Sequence, residues 1–189
     1  MAHRPHVDSG TPDARRDRSP THSTPCQHSH DRQAQAGAML ARVEARCRAS
    51  GARLTPIRRA VLQELLADHR PLGAYELLER VSRREGRRLA PISVYRALDF
   101  LVDGHFVHRL ASRNAFIACP HTHDPHVHPH GRDDHGPVAF LICGTCGGVD
   151  EMASPAMAAA LAEASREAGF TALRQVIEIS GMCGHCRKA

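Results

Sequence analysis

Four of the seven cysteines fall into two Cys-x-x-Cys pairs, Cys143/Cys146 and Cys183/Cys186. A pair at this spacing presents two sulfurs from one tight turn, and two such turns supply the four thiolates of a tetrahedral zinc site. The intervening residues 147–182 exceed the gap of a short zinc ribbon. They hold a strand–helix–strand unit, whose first and last strands the ion would clip together. The plainer reading is two unrelated free dithiols, and the matched spacing argues against it. A closed four-cysteine site leaves no open position for substrate, which disfavours metalloenzyme chemistry. A second set of ligand types, His108, Cys119, His135 and Glu151, is spread along the chain around the first pair. Together they would form a mixed nitrogen, sulfur and oxygen tetrahedron, which also suits zinc. Taken singly, Glu151 reads equally as a solvated carboxylate and Cys119 as a buried thiol, and spacing alone does not decide.

The second set would gather ligands from two dissimilar halves of the chain. Residues 1–36 are rich in Pro, His, Arg, Ser and Thr with almost no large apolar residue, which predicts a disordered tail. His3, His6, His22, His28, His30 and Cys26 could bind metal loosely there, although a solvated tail is the simpler reading. A first helix is expected over residues 38–50, with Leu40, Val43 and Cys47 on one stripe; Cys47 reads as a small core residue. Thr55 as N-cap and Pro56 at the first helical position open a second helix, closed by Pro71. In it Ile57, Val61, Leu62, Leu65 and Leu66 follow at helical spacing. A third helix is expected from Ala74 to Arg84, on Leu77, Leu78 and Val81. A fourth runs from Pro91 to Asp103, with Val94, Leu98, Leu101 and Val102 inward and Ser93, Tyr95, Arg96 and Asp99 outward.

Two strands, Phe106–Leu110 and Ala115–Cys119, then flank a turn at residues 112–114. Three helices and a β-hairpin in this order predict a winged helix whose last helix enters the major groove. On that helix Arg96 can reach guanine edges and Tyr95 a thymine methyl or a phosphate. Ser93, Arg58 and Arg59 are candidate phosphate contacts. Residues 120–136 carry six histidines, with Pro, Asp and Gly and no apolar period, and read as a hinge loop. Beyond it are expected strands Val138–Cys143 and Val149–Met152, a helix over 155–168 on Met157, Leu161 and Ala164, and a strand Leu173–Ser180 with Leu173, Ile177 and Ile179 on one face. The fold class is therefore α+β. A winged-helix domain over 37–119 precedes a small α/β domain over 137–189 that carries the four-cysteine site.

Charge separates the halves as well. Residues 40–113 hold fifteen arginines against eight acidic residues, whereas 114–189 hold five basic against eight acidic. A basic first half suits a polyanion, though an arginine-favouring genome is the bland explanation, since Lys188 is the sole lysine. Cysteines in this pattern suit a reducing compartment. There is no run of about 18 apolar residues and no apolar signal core, so no membrane span is expected and the cytoplasm is the expected location.

Three segments together resemble the ferric uptake regulator family over about residues 40–187: Arg53-Leu54-Thr55-Pro56-Ile57-Arg58, Ser93-Val94-Tyr95-Arg96-Ala97-Leu98 and the paired Cys-x-x-Cys turns. Tyr95 to Leu101, then Gly104, Phe106-Val107-His108 and Val176-Ile177-Glu178 are most similar to its zinc uptake branch. A second glycine is common in the family where His105 stands. The resemblance implies a homodimeric repressor that binds double-stranded operator DNA and takes no small-molecule substrate beyond the metal. It implies two zinc ions per subunit, a structural one on Cys143, Cys146, Cys183 and Cys186 and a regulatory one on His108, Cys119, His135 and Glu151. DNA recognition carries over to Tyr95 and Arg96. The long loop leaves His121, His123, His126, His128 and His130 as alternatives to His135. Iron or peroxide sensing is the sibling reading, and Cys119 favours zinc over iron(II). A zinc-buffering protein would not need Arg96 or a basic half, and a hydrolytic zinc enzyme would need open-site ligands beside a general base.

Overall fold

The structure, a computed structural model, describes residues 27–119, 137–172 and 175–188. His135 with the rest of the expected hinge loop, residues 1–26 of the expected tail, and Leu173 lie outside the described residues. Helix α1 spans Gln27–Ala49, so the expected disorder is corrected over residues 27–36, which are helical. That stretch lacks large apolar residues but contains Gln, Ala and Arg and no proline, a composition compatible with a helix. Further on, the buried stripe is Met39, Val43 and Cys47, four residues apart, with Leu40 at its edge. Burial pushes the Cys47 thiol above its ordinary range against the pull of Arg58 and Arg46, in keeping with a core residue.

Helix α2, Pro56–Ala67, is capped by Thr55, whose hydroxyl accepts from the Arg58 N–H at 3.5 Å. It ends at Asp68, before Pro71. Asp68 turns the corner by accepting from the Arg70 N–H at 3.0 Å and from Arg80 of the next helix at 3.0 Å. Burial opposes its charge, but the Arg70 N–H and the two guanidiniums outweigh that and hold the carboxyl below its usual range. Strand β1, Leu72–Gly73, was not expected; two residues are too few to show alternation. Helices α3, Ala74–Glu85, and α4, Pro91–Asp103, close a core with α1 and α2 through Leu77, Val81, Val94, Ala97, Leu98 and Leu101.

Past α4 the chain turns at Gly104, where an added Cβ would lie 2.6 Å from the Phe106 ring. His105 follows in the left-handed region at φ +56°, which is why glycine suits that position and why histidine there carries some strain. Strands β2, Val107–Leu110, and β3, Ala115–Ala118, pair antiparallel, with β1 on the far edge of β3. A 3₁₀ turn, Ala111–Arg113, joins them through Asn114 at φ +45°. This wing has two buried faces. Val107, Phe116 and Ala118 pack on the helices, whereas Leu110 and Ile117 pack on Phe140, Ile142 and Val149 of the C-terminal sheet. Every residue of β3 is buried, so no polar alternation marks it.

The second sheet has the order β5-β4-β6, from β4 Val138–Cys143, β5 Val149–Ala153 and β6 Val176–Gly181. Strand β4 pairs antiparallel with β5 and parallel with β6, the crossover running through α5, Pro155–Glu167. Helix α5 buries no residue fully: Met157 and Leu161 are half-buried, and Ala164, expected on the apolar side, is exposed. Phe140 and Ile142 face the wing, while Leu141 and Ile179, paired in register, lie on the opposite face at 36% and 46% exposure. No helix of the described residues is long and apolar enough to cross a membrane.

Ile117 is 1% exposed and sits between the wing and the second sheet. Ile117→Ala should lower stability by about 2–4 kcal/mol, read from urea unfolding, with Glu151 and His108 becoming more exposed to solvent.

Candidate metal centres and nucleic-acid face

The first centre is built by the parallel pairing of β4 and β6. Cys143 ends β4 opposite Gly181, and the Gly144 N–H donates to the Gly181 carbonyl at 2.8 Å, so the two knuckles start side by side. The first knuckle folds back through Gly147 at φ +73°, whose N–H donates to the Cys143 carbonyl at 3.0 Å. One sulfur each of Cys143, Cys146, Cys183 and Cys186 lies within 4.8 Å of the others, and Cys146 Sγ and Cys183 Sγ are 4.0 Å apart. Zinc–sulfur bonds of about 2.3 Å in a tetrahedron set sulfurs roughly 3.8 Å apart, so the donor set fits zinc with little movement. Backbone N–H groups point at the sulfurs: Cys183 N to Cys143 Sγ at 3.3 Å, Gly148 N to Cys146 Sγ at 3.4 Å and Cys186 N to Cys183 Sγ at 3.4 Å.

Those donors decide the protonation order. Burial opposes the Cys143 thiolate, but the N–H groups of Cys146, Cys183 and Thr145 outweigh it and bring its pKa down to about 6. Burial and the neighbouring thiols push Cys146 well above the ordinary range, and desolvation with the thiol of Cys183 raises Cys186 to about 11. Four crowded thiols thus yield one anion readily and resist the next. A divalent cation is what allows all four to ionise together.

The second centre spans the two halves. His108 on β2, Cys119 just after β3 and Glu151 on β5 each place one donor atom within 4.8 Å of the others. Alternation along the wing puts His108 and Cys119 on the face of Leu110 and Ile117, and antiparallel register sets Glu151 opposite Phe140. The His108 ring tilts against Phe140 at 5.0 Å. His108 Nε2 is 3.2 Å from Glu151 Oε2, an ion-pair distance, yet outside hydrogen-bonding geometry, so the buried nitrogen lacks a hydrogen-bond partner among the described residues. The Cys119 thiol donates weakly to the same oxygen at 3.7 Å. An orphaned buried imidazole nitrogen beside a thiol and a carboxylate suits a cation bound among them. His135 is outside the described residues, so three of the four expected ligands are seen together.

On the helical half, Tyr95 and Arg96 are exposed on α4 and Ser93 is half-buried. Arg58 is committed inward: its guanidinium lies 3.5 Å over the Phe100 ring and donates to the Arg53 carbonyl at 2.6 Å. Arg59 pairs with Glu44 at 2.5 Å. Three residues near these sites were given no individual role from sequence. Phe140 carries the His108 ring, Glu178 reaches the wing turn, and Tyr75, 72% exposed at the start of α3, is a second outward aromatic on the basic half. An aromatic in the first turn of a helix bearing arginines was a usable signal for Tyr75, Glu178 was noted only within the segment Val176-Ile177-Glu178, and nothing local marks Phe140.

The family model for the ferric uptake regulator family matches residues 49–180. A zinc uptake regulation protein of Escherichia coli (strain K12) is 33% identical over 148 residues, which cover 78% of this chain and 81% of that protein. Among solved structures, a zinc uptake regulator complexed with zinc and DNA aligns with TM-score 0.70 at 31% identity, over 81% of this chain and 95% of that one. The crystal structure of holo XcZur aligns with TM-score 0.66 at 38% identity, over 80% and 99%.

The unequal thiols give a pH test. With metal removed, Cys143 should be alkylated along a titration centred near pH 6, while Cys146 and Cys186 react only in alkali; mass spectrometry of the labelled peptides reads each site. The folded value lies below the unfolded 9.0, so its contribution to stability is complete above about pH 9 and is lost as pH falls to about 6.

Proposed function

The chain belongs to the ferric uptake regulator family, and from that premise we propose that it is a zinc-responsive transcriptional repressor acting as a homodimer on operator DNA of zinc-uptake genes. The observation that carries this reading is the convergence of His108, Cys119 and Glu151 from two packed bodies. The relatives support zinc and DNA as its ligands, since one of them is a zinc uptake regulator solved with both. The family is one of regulators rather than enzymes, and we assign no catalytic residue. The cytoplasm, where a promoter is reached, is the assigned location.

In this reading residues 37–119 form the winged-helix DNA-binding domain, 120–136 the hinge loop, and 137–189 the dimerisation and zinc-binding domain. Each subunit holds two zinc ions. Cys143, Cys146, Cys183 and Cys186 hold the structural one. His108, Cys119 and Glu151 hold the regulatory one, with His135 as fourth ligand from the loop. Bound zinc supplies a cross-link whose free energy depends on the relative placement of the two bodies. His108 and Cys119 then fix the wing, and Glu151 fixes the sheet it rests on. Tyr95 and Arg96 read base edges from α4, and Ser93 contacts phosphate. Arg59, itself exposed, can exchange its partner Glu44 for a phosphate at little cost, while Arg58, stacked on Phe100, shapes the start of α2 and reaches a phosphate only by leaving that ring.

Zinc titrated into dimer stripped of its regulatory ion should raise operator affinity by about a hundredfold, roughly 2.7 kcal/mol of coupling. Cys119→Ser should keep the structural zinc but need far more metal for the same effect, read by fluorescence anisotropy. Unchanged affinity on adding zinc, or a wild-type response from the mutant, would overturn the regulatory assignment. The exposed apolar face around Leu141 and Ile179 suits a second copy of the chain. Ile179→Asp should shift the protein to monomer in analytical ultracentrifugation and weaken operator binding, because two half-sites are then no longer held together.

A further inference from the structure

Glu151, Phe140 and Glu178 form one row across the second sheet, since Phe140 pairs in register with Glu151 on β5 and with Glu178 on β6. Residues directly opposite in register share a face, and Phe140 packs on Leu110 and Ile117 of the wing. The row therefore presents two carboxylates to the wing on either side of one aromatic ring. Glu151 meets His108 and Cys119. Glu178 meets the tip: its Oε1 accepts from the Ala111 N–H at 2.7 Å, its Oε2 accepts from the Ser112 N–H at 3.3 Å, and the Ser112 hydroxyl donates to Oε2 as well. Both oxygens of one carboxylate thus engage two consecutive backbone N–H groups that no strand pairing satisfies.

We infer that Glu178 is a positioning residue, a metal-independent latch that holds the tip of the wing on the second sheet and so sets how much zinc the regulatory centre needs. The inference rests on the zinc-gated reading above for its consequence, though not for the contact itself. Without zinc, the second centre brings together a ring nitrogen, a thiol and a carboxylate with weak mutual contacts. The apolar cluster of Leu110, Ile117, Phe140, Ile142 and Val149 resists separation of the bodies but does not fix their angle, because apolar contact is not directional. Two N–H donors on one carboxylate are directional and charge-assisted. Placed at the opposite end of the row from Glu151, they restrict rotation of the wing about the Phe140 contact. Ligands already held near their bound arrangement cost less to assemble when the ion arrives.

The full-length dimer, as wild type, Glu178→Ala, Glu178→Gln and Ser112→Ala, would be followed by amide hydrogen exchange at Ala111 and Ser112, with regulatory zinc present and removed. The zinc midpoint for operator binding would be measured in parallel. Glu178→Ala should speed exchange at both amides at least about tenfold in the zinc-stripped state and raise the zinc midpoint by about tenfold. Glu178→Gln, which can still accept one N–H, should restore part of both. Combined with Glu178→Ala, Ser112→Ala should add little, since its partner is already gone. Retention of the structural zinc and of the melting transition shows that each variant is folded. Should Glu178→Ala unfold the chain, Glu178→Gln and Ser112→Ala carry the same comparison. Wild-type exchange at Ala111 and Ser112 in the alanine variant would overturn the latch, as would an unchanged zinc midpoint in a protein that responds to zinc. If wild type ignores zinc, the zinc-gated reading falls, and the exchange comparison still decides whether the latch exists.

Discussion

The structure depends on a β-hairpin that is buried on both faces. Strands β2 and β3 give one face to the helical core and the other to the second sheet. A hairpin of this length is marginal in water alone, so its conformation is set by the two bodies it lies between. That arrangement makes the hairpin a natural place for a regulatory ligand. An ion bound on its sheet-facing side at His108 and Cys119, as proposed, would act on an element whose other side packs on the helical core that includes α4. Phe106, at the entry to the hairpin, packs into the helical core and accepts the Cys119 N–H at its carbonyl at 3.0 Å. One strand therefore separates the His108–Cys119 side of the wing from the helical core that includes α4.

The two metal centres differ in what the protein has prepared. At the four-cysteine centre the backbone already supplies N–H donors to three of the sulfurs, and the knuckles are continuous with the β4–β6 pairing. At the second centre the three donors come from separate bodies, and one nitrogen has no hydrogen-bond partner among the described residues. The first therefore behaves as part of the fold, and the second as an equilibrium between bodies that a metal can bias. Arg70 adds a further point of contact: its side-chain stem would lie 3.2 Å from a Cβ at Gly147, while Asp68 orders the backbone on the helical side. The structural knuckle thus abuts the helical half as well as tying two strands of its own sheet.

Much of this was legible in the sequence where a signal was local. Thr55-Pro56 set the start of α2, the apolar spacing of α4 separated inward Val94, Leu98 and Leu101 from outward Tyr95 and Arg96, and the matched Cys-x-x-Cys pairs pointed to thiolates in one place. What was not legible depends on register between distant strands. Phe140 and Glu178 acquire their roles because β4 pairs with β6 across α5, and nothing near either residue announces that partner. The start of α1 was placed too late because the absence of large apolar residues was weighed above helix propensity.

His105 shows how a local departure acquires meaning from geometry. The resembled family commonly has glycine there, and the backbone at this residue sits at φ +56°. The preceding residue is equally constrained, since the Phe106 ring leaves no room for a Cβ at Gly104. Strain at position 105 is therefore imposed by the turn that carries α4 into β2, the helix of Tyr95 and Arg96 into the strand of His108. A left-handed residue at such a junction costs of order 1 kcal/mol, a cost that persists only because Phe106 and Val107 on its far side are locked in the helical core. The packing that would couple a metal centre on the wing to α4, in the proposed reading, is the same packing that holds this strained corner in place.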